Sequence, residues 1–174
     1  AQWAARHASG MERSQRAWKP DLLVPARTPE ELDGMLELTA ALIEQQGSAK
    51  LVGIRRLPNR DTAGLRAQFE KRAQRLRDGG GSATATALAA TGFGQGAGLA
   101  MDTLAGAFFP PNLVLVDGDQ HRQDALQEVF NEAIALHLGV IIAFAHPDGR
   151  LTNPSTITVW LSDRSPDWPL QLHN

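Results

Sequence analysis

Short apolar runs alternate along this chain with longer segments whose apolar residues recur every three or four positions. The short runs predict strands, because aliphatic and β-branched residues dominate them. These predicted strands cover residues 21–24, 50–54, 82–90, 113–116, 140–144 and 156–161. The longer segments predict four helices: one after Thr28, one after Asp61, one over residues 96–107 and one after Asp119.

Capping signals support the first two helices. Thr28 and Glu31 have the spacing of a capping box, and Pro29 suits the first helical position. The last helix has apolar residues at helical spacing: Leu126, Val129, Phe130, Ala133 and Ile134. Asp119 is predicted to cap that helix.

The strict alternation of strand and helix predicts the α/β class. Strands that read as continuous apolar runs are buried on both faces, as in a parallel sheet covered by helices. We therefore predict a doubly wound, mostly parallel sheet of five to six strands with helices on both faces. Residues 1–17 are predicted as a helical lead-in, residues 18–162 as the α/β domain and residues 163–174 as a tail or linker.

Composition narrows the function classes. The 174 residues carry a formal net charge of −2, which gives no general attraction to nucleic acid. There is no cysteine, hence no disulfide, thiolate zinc site or thiol nucleophile. The longest uncharged stretch, residues 79–101, is too rich in Gly, Ala and Thr to predict a membrane span. The chain begins at Ala1 rather than Met, and we expect it to be part of a longer protein.

One glycine-rich motif has the spacing of a dinucleotide-binding fingerprint. Gly92, Gly94 and Gly96 precede a predicted helix, and Asp117 ends the next predicted strand. Glycines at this spacing let a pyrophosphate approach backbone N–H groups, while an acid binds the ribose. A nucleotide is thus the alternative cofactor prediction, although glycine in a flexible loop explains the motif as well.

Other candidate chemistry is weak. Residues 117–128 resemble a calcium loop, but Arg122 stands where the required glycine belongs, so no metal site is predicted. No histidine has metal-ligand spacing or an assignable nucleophile, so no catalytic residue is predicted; His137 is expected in the core. The helix after Asp61 is basic, which indicates either a solvated face or contact with phosphate or lipid headgroups.

Four segments together resemble a known family. They are Trp-Lys-Pro-Asp-Leu-Leu-Val at residues 18–24, Phe-Pro-Pro-Asn-Leu-Val-Leu-Val at 109–116, Gly-Val-Ile-Ile at 139–142 and Thr-Ile-Thr-Val-Trp-Leu at 156–161. In this order and spacing they resemble the C-terminal cytosolic domain of the cation–chloride cotransporters, in a prokaryotic form with short connections.

The resemblance implies a universal-stress-protein-like fold and a non-catalytic regulatory and dimerisation domain without a cofactor. The parent would be a secondary transporter that couples chloride to sodium and/or potassium, with residues 1–17 leading from its transmembrane domain. The expected partners are that transmembrane domain and a second copy of the chain, at the cytoplasmic face of the cell membrane. Two alternatives stay open: a nucleotide sensor or nicotinamide-dependent enzyme using Gly92–Gly98 and Asp117, and a free-standing universal-stress-like protein.

Overall fold

The structure, a computed structural model, describes residues 19–44, 46–107 and 109–144. Strands and helices alternate throughout this part of the chain. The strands are β1 (Asp21–Ala26), β2 (Ser48–Arg56), β3 (Ser82–Ala90), β4 (Leu113–Asp117) and β5 (Gly139–Ala143). The helices are α1 (Pro29–Ile43), α2 (Thr62–Asp78), α3 (Phe93–Ala105) and α4 (Gln123–Ala135).

The five strands form one parallel sheet in the order β3-β2-β1-β4-β5. The chain winds outward from β1 to β3 and then returns to place β4 on the other side of β1. This reversal between β1 and β4 is the topological switch point, where loops leaving the two carboxyl ends diverge and open a crevice. The predicted doubly wound α/β fold is confirmed, with five strands in the described residues.

Helices cover both faces of the sheet and create two core layers. On one face α1 and α2 pack over Leu22, Leu51 and Leu115, with Phe69 of α2 wholly buried among them. On the other face α3 and α4 pack over Val52, Val114 and Val116. Burial on both faces explains why β1, β2 and β4 read as nearly continuous apolar runs.

The capping signals act largely as predicted. The Thr28 hydroxyl accepts the Glu31 N–H at 3.2 Å, and the Asp61 carboxylate accepts the Gly64 N–H at 3.1 Å. Glu31 departs from the capping-box pattern, because its side chain binds the N–H of Arg27 at 3.0 Å rather than that of Thr28. This shift directs the Glu31 carboxylate towards the switch point.

Several predicted boundaries and orientations differ in the structure. β1 runs through Pro25, because β1 pairs with β4 only at Leu22 and Leu23 and the N–H that proline lacks is not needed there. The third helix begins at Phe93, not residue 96. Phe130 and Ile134, which belong to the apolar pattern of the last helix, are 41% and 55% exposed.

The capping prediction for Asp119 is wrong, because α4 begins at Gln123 with Arg122 as its N-cap residue. Asp119 lies in the turn before the helix, and its N–H donates to Asp117. The predicted lead-in 1–17, the sixth strand 156–161 and the tail 163–174 lie outside the described residues.

Candidate functional site

The crevice at the switch point gathers ionisable side chains from two loops. Arg27 and Glu31 follow β1, and Gln120 and His121 follow β4. Because neighbouring parallel strands end at the same edge, residues about 90 positions apart in sequence meet here. This crevice is where open α/β sheets bind ligands, so its contents determine what the domain can bind.

A buried pair of ionisable groups fills the centre of the crevice. Nε2 of His121 and Oε1 of Glu31 lie 2.5 Å apart, and the two side chains are only 1% and 2% exposed. The other Glu31 oxygen, Oε2, accepts from the backbone N–H of Arg27 at 3.0 Å and lies 3.4 Å from its Nε. Both carboxylate oxygens are therefore occupied within the protein, as burial of a charge requires.

Two further contacts close the crevice around this pair. The Arg27 guanidinium donates to the Gln120 carbonyl, which ties the loop after β1 to the loop after β4. The His121 ring stacks on Phe93, the first residue of α3, with centroids 3.5 Å apart and planes 17° apart. Three segments leaving the carboxyl edge are thus joined through side chains that a ligand would have to displace.

Asp117 lies at the carboxyl end of β4, as predicted, and shapes the loop that carries His121. Its Oδ1 accepts the N–H groups of Asp119 at 2.8 Å and Gln120 at 3.3 Å. The side chain is almost completely buried. In this arrangement Asp117 serves as a turn former, a common role for aspartate next to a strand end.

The glycines of the predicted fingerprint follow β3, which lies on the opposite side of β1 from β4 and Asp117. Gly92 is the N-cap residue of α3, and Gly94 and Gly96 are inside that helix. The motif follows β3, which β2 and β1 separate from β4 and Asp117. The loops still approach each other, since Phe93 stacks on His121.

Packing explains why glycine occupies positions 94, 96 and 98. A Cβ at Gly94 would collide with Glu128 of α4, and one at Gly98 would lie 3.3 Å from Glu132 of the same helix. A Cβ at Gly96 would lie 2.6 Å from Ile54 of β2. The glycines therefore let α3 approach both α4 and the sheet.

Gly94→Ala is expected to destabilise the domain, whereas Gly92→Ala is not. The new methyl group at residue 94 would force Glu128 and α4 away, which at overpacked sites costs about 1–3 kcal/mol. A Cβ at Gly92 meets no atom within 4 Å, and its φ of −149° suits any residue. Urea unfolding of both variants measures the difference, and equal stabilities would contradict the close α3–α4 approach.

The histidines do not form a metal site in the part of the chain that the structure describes. No three His, Asp or Glu side chains gather there closely enough to hold an ion. His137 is exposed, not in the core, because α4 ends at Ala135 and His137 adopts a left-handed φ of 58° in the following turn. Of the two histidines that the structure describes, His121 is the buried one.

The amino edge of the sheet carries a second concave region, lined by Lys19, Asp21, Ser48 and Lys50 among others. Desolvation lowers the pKa of Lys50, and the negative charge of Asp21 opposes that effect. Asp21 also accepts a hydrogen bond from the Ser48 hydroxyl. This region lies at the edge opposite the switch point, away from the Glu31–His121 pair.

The described residues also bear on membrane insertion. Within residues 19–44, 46–107 and 109–144, no helix is both long enough and apolar enough to cross a bilayer.

For the basic helix α2, the sequence indicates either a solvated face or contact with phosphate or lipid headgroups. Three of its arginines are engaged with acids: Arg72 and Arg75 contact Asp33, and Arg77 contacts Glu70.

Solved structures contain the same fold. The crystal structure of the cytoplasmic domain of a prokaryotic cation chloride cotransporter matches with a TM-score of 0.64 and 25% identity, over 78% of this chain and 49% of that one. This chain thus spans about half the length of that solved domain. A universal stress protein in complex with cAMP matches with a TM-score of 0.52 and 9% identity, over 72% and 97% of the two chains.

The universal stress protein shows the fold alone, and it confirms the predicted universal-stress-like architecture. No curated protein matches the chain. The model of the family described as "Prokaryotic cation-chloride cotransporter, C-terminal domain, 1st" matches residues 24–151, which include all five strands except the start of β1. The chain therefore belongs to the family of the first C-terminal domain of prokaryotic cation–chloride cotransporters.

Proposed function

We propose that this chain is a non-catalytic regulatory and dimerisation domain at the cytoplasmic face of the membrane, within a secondary transporter that couples chloride to sodium and/or potassium. The observation that carries the proposal is the family match over residues 24–151. The similar solved structure, described as a cytoplasmic domain, supports the cytoplasmic placement. Ion binding would belong to the transmembrane partner rather than to this domain.

The filled crevice supports a non-catalytic role. An enzyme with this fold would bind its substrate at the switch point, where reacting groups need access to a cavity. Here the two central side chains, Glu31 and His121, are 1–2% exposed and hydrogen-bonded to each other. They stabilise the loops instead of presenting a free acid or base.

An apolar surface beside β5 supports dimerisation. β5 contacts only β4, so it is an edge of the sheet within the described residues. It contains no charged residue or proline, the devices that usually protect an edge strand from pairing. Phe130 and Ile134 of α4 are exposed on the helix that packs against β5, together with Ile142 of the strand itself. A second copy covering this edge would remove that apolar area from water.

Ile134→Lys is expected to weaken the dimer without unfolding the monomer. Ile134 is 55% exposed, so the folded monomer tolerates a charge there, whereas a charge inside an apolar interface is unfavourable. Sedimentation velocity across a concentration series measures the change. Asn131→Lys, which adds the same single charge at an exposed position of α4, is the control, and equal effects of both variants would contradict an interface centred on Ile134.

Fractionation of native cells tests whether this domain is part of a larger membrane protein. An antibody against this domain should detect a membrane-confined band several times larger than 18.8 kDa. In cells that express the parent protein, deleting the domain should then change chloride-dependent flux of sodium or potassium. A soluble band near 18.8 kDa would overturn the proposal and favour a free-standing universal-stress-like protein.

Nucleotide binding through Gly92, Gly94, Gly96 and Asp117 stays an alternative prediction. The observation in its favour is the fold shared with a universal stress protein that was solved with cAMP. Isothermal titration of the wild-type chain with millimolar ATP, cAMP and NAD tests it directly. Gly92→Val is the informative variant, because residue 92 has open space and the change would block a phosphate without disturbing α4. Absence of heat with wild type would remove the alternative.

A further inference from the structure

Polar side chains from three neighbouring strands share one face of the sheet at its amino edge. Asp21 of β1, Ser48 of β2 and Ser82 of β3 lie side by side in the register of the parallel strands. Two residues further along, Lys50 of β2 lies beside Thr84 of β3. Residues paired in register, and residues two apart along one strand, point to the same face. These five side chains therefore form one polar array.

A cavity of about 380 Å³ opens beside this array. All five side chains of the array line it, together with Lys19, which precedes β1. Ligand-binding cavities in proteins commonly have volumes of about 300–1,000 Å³. The cavity at the amino edge is therefore large enough to hold a small molecule.

Most hydrogen-bond donors of this cavity have no acceptor within the protein. The Ser48 hydroxyl is used, because it donates to the Asp21 carboxylate. Within the described residues, four other donor side chains of the cavity make no hydrogen bond or ion pair: Lys19, Lys50, Ser82 and Thr84. Two of these side chains are positively charged, whereas Asp21 is the one carboxylate among the described residues that line the cavity.

Lys50 is the donor for which the missing acceptor matters most, because it is only partly exposed to water. Desolvation lowers the pKa of its amine, and the negative charge of Asp21 only partly opposes that effect. An ammonium group that loses hydration is stabilised by an opposite charge or by a hydrogen-bond acceptor nearby. An anion in the cavity would supply both.

We propose that this amino-edge cavity binds a small oxyanion, the carboxylate or phosphate group of a soluble small molecule, through Lys50 and Thr84. The two residues are directly paired in the register of β2 and β3, so their donors can converge on one oxyanion. Hydrogen bonds from a charged donor to an oxyanion are among the strong ones in proteins. The site lies at the edge of the sheet opposite the Glu31–His121 pair, and its argument does not depend on the transporter assignment.

The lysine side chains provide the test, because the chain contains only Lys19, Lys50 and Lys71. The full chain labelled with ¹³C at the lysine Cε therefore gives three NMR signals, which single substitutions assign. Malonate or inorganic phosphate at millimolar concentration should shift the Lys50 signal in a saturable manner and leave that of Lys71, an exposed residue of α2, nearly unchanged. Because a bound anion favours the charged amine, the pKa of Lys50 should rise on binding. The response to each probe distinguishes a carboxylate ligand from a phosphate ligand.

Two threonines of β3 supply matched variants. Thr84→Val removes a hydroxyl donor from the cavity while keeping a β-branched side chain, and it should weaken binding about fivefold or more. Thr86→Val makes the same change at an exposed position on the same face of β3 that does not line the cavity, and affinity should change less than about twofold. Lys50→Gln should weaken binding about tenfold or more.

Three results would overturn the proposal: no saturable shift of the Lys50 signal with either probe, an equal shift with KCl at the same ionic strength, or equal losses of affinity in Thr84→Val and Thr86→Val. Circular dichroism checks that Lys50→Gln folds. If it does not fold, the threonine pair still decides, because both positions are exposed. Fractionation tests the transporter assignment separately, so either idea can fail alone.

Discussion

Val114→Asp is expected to abolish folding of the domain. Val114 is completely buried in β4, between the sheet and the layer formed by α3 and α4. An aspartate there would be an unpaired charge without water or a hydrogen-bond partner, which costs several kcal/mol even after its pKa adjusts. A domain of this size has only about 5–15 kcal/mol of stability, and the change also removes apolar packing. Circular dichroism should show no cooperative thermal transition.

Ile141→Asp provides the matched comparison in the neighbouring strand. Ile141 pairs with Leu115 in the register of β4 and β5, but it is only partly buried because β5 is an edge strand in the described residues. Water can reach a carboxylate there, so the protein should fold with reduced stability. A soluble Val114→Asp variant that unfolds cooperatively would show that β4 is not central to the sheet.

The strands were predictable because burial on both faces leaves a local signature. Residues 113–116 and 50–54 are aliphatic enough to indicate a parallel sheet, and β4 and β2 contain them. The ends of the strands were harder to predict, because hydrogen bonds with neighbouring strands extend β2 to Ser48 and Arg56. Those pairings depend on strand order, which local sequence does not contain.

The third helix shows where local reasoning failed. Residues 92–98 contain four glycines, which in isolation disfavour helix and indicate a loop. In the structure α3 includes Gly94, Gly96 and Gly98 because tertiary packing needs their missing side chains. The cost in helix propensity is offset by the close approach to α4 and β2, which no single-segment pattern reveals.

The crevice was only half predictable. Asp117 and the Thr28 cap could be placed from motifs, and their positions are confirmed. The reciprocal capping bond predicted for Glu31 was wrong, because its carboxylate accepts the Arg27 N–H instead. The Glu31–His121 contact could not, because it joins residues 90 positions apart and requires β1 and β4 to be neighbours. One signal was present: both residues follow the carboxyl end of a predicted buried strand. Combined with the general strand order of such folds, that signal would have suggested a meeting at the switch point.

Removing the Glu31 carboxylate is expected to have the second large effect. Glu31→Met would leave the Nε2–H of His121 buried without an acceptor and would also remove the acceptor of the Arg27 N–H. Breaking one side of a buried pair costs about 3–5 kcal/mol, because the remaining partner cannot regain its hydration. Glu30→Met is the control in the same helical turn; its exposed side chain should change stability by no more than about 0.5 kcal/mol.

The double variant Glu31→Met with His121→Phe tests whether the stability of the domain depends on the hydrogen-bonded pair or only on the packing of two side chains at these positions. A phenyl ring can retain the stacking on Phe93, and two apolar groups leave no buried charge between them. Such replacements are often neutral or stabilising by about 1–4 kcal/mol, so the double variant should recover most of the stability that Glu31→Met loses. Urea unfolding of the wild type, of Glu31→Met, of His121→Phe and of the double variant gives the coupling free energy between the two residues. Additive losses would show that Glu31 and His121 stabilise the crevice independently, and that their short contact is not what joins the loops after β1 and β4.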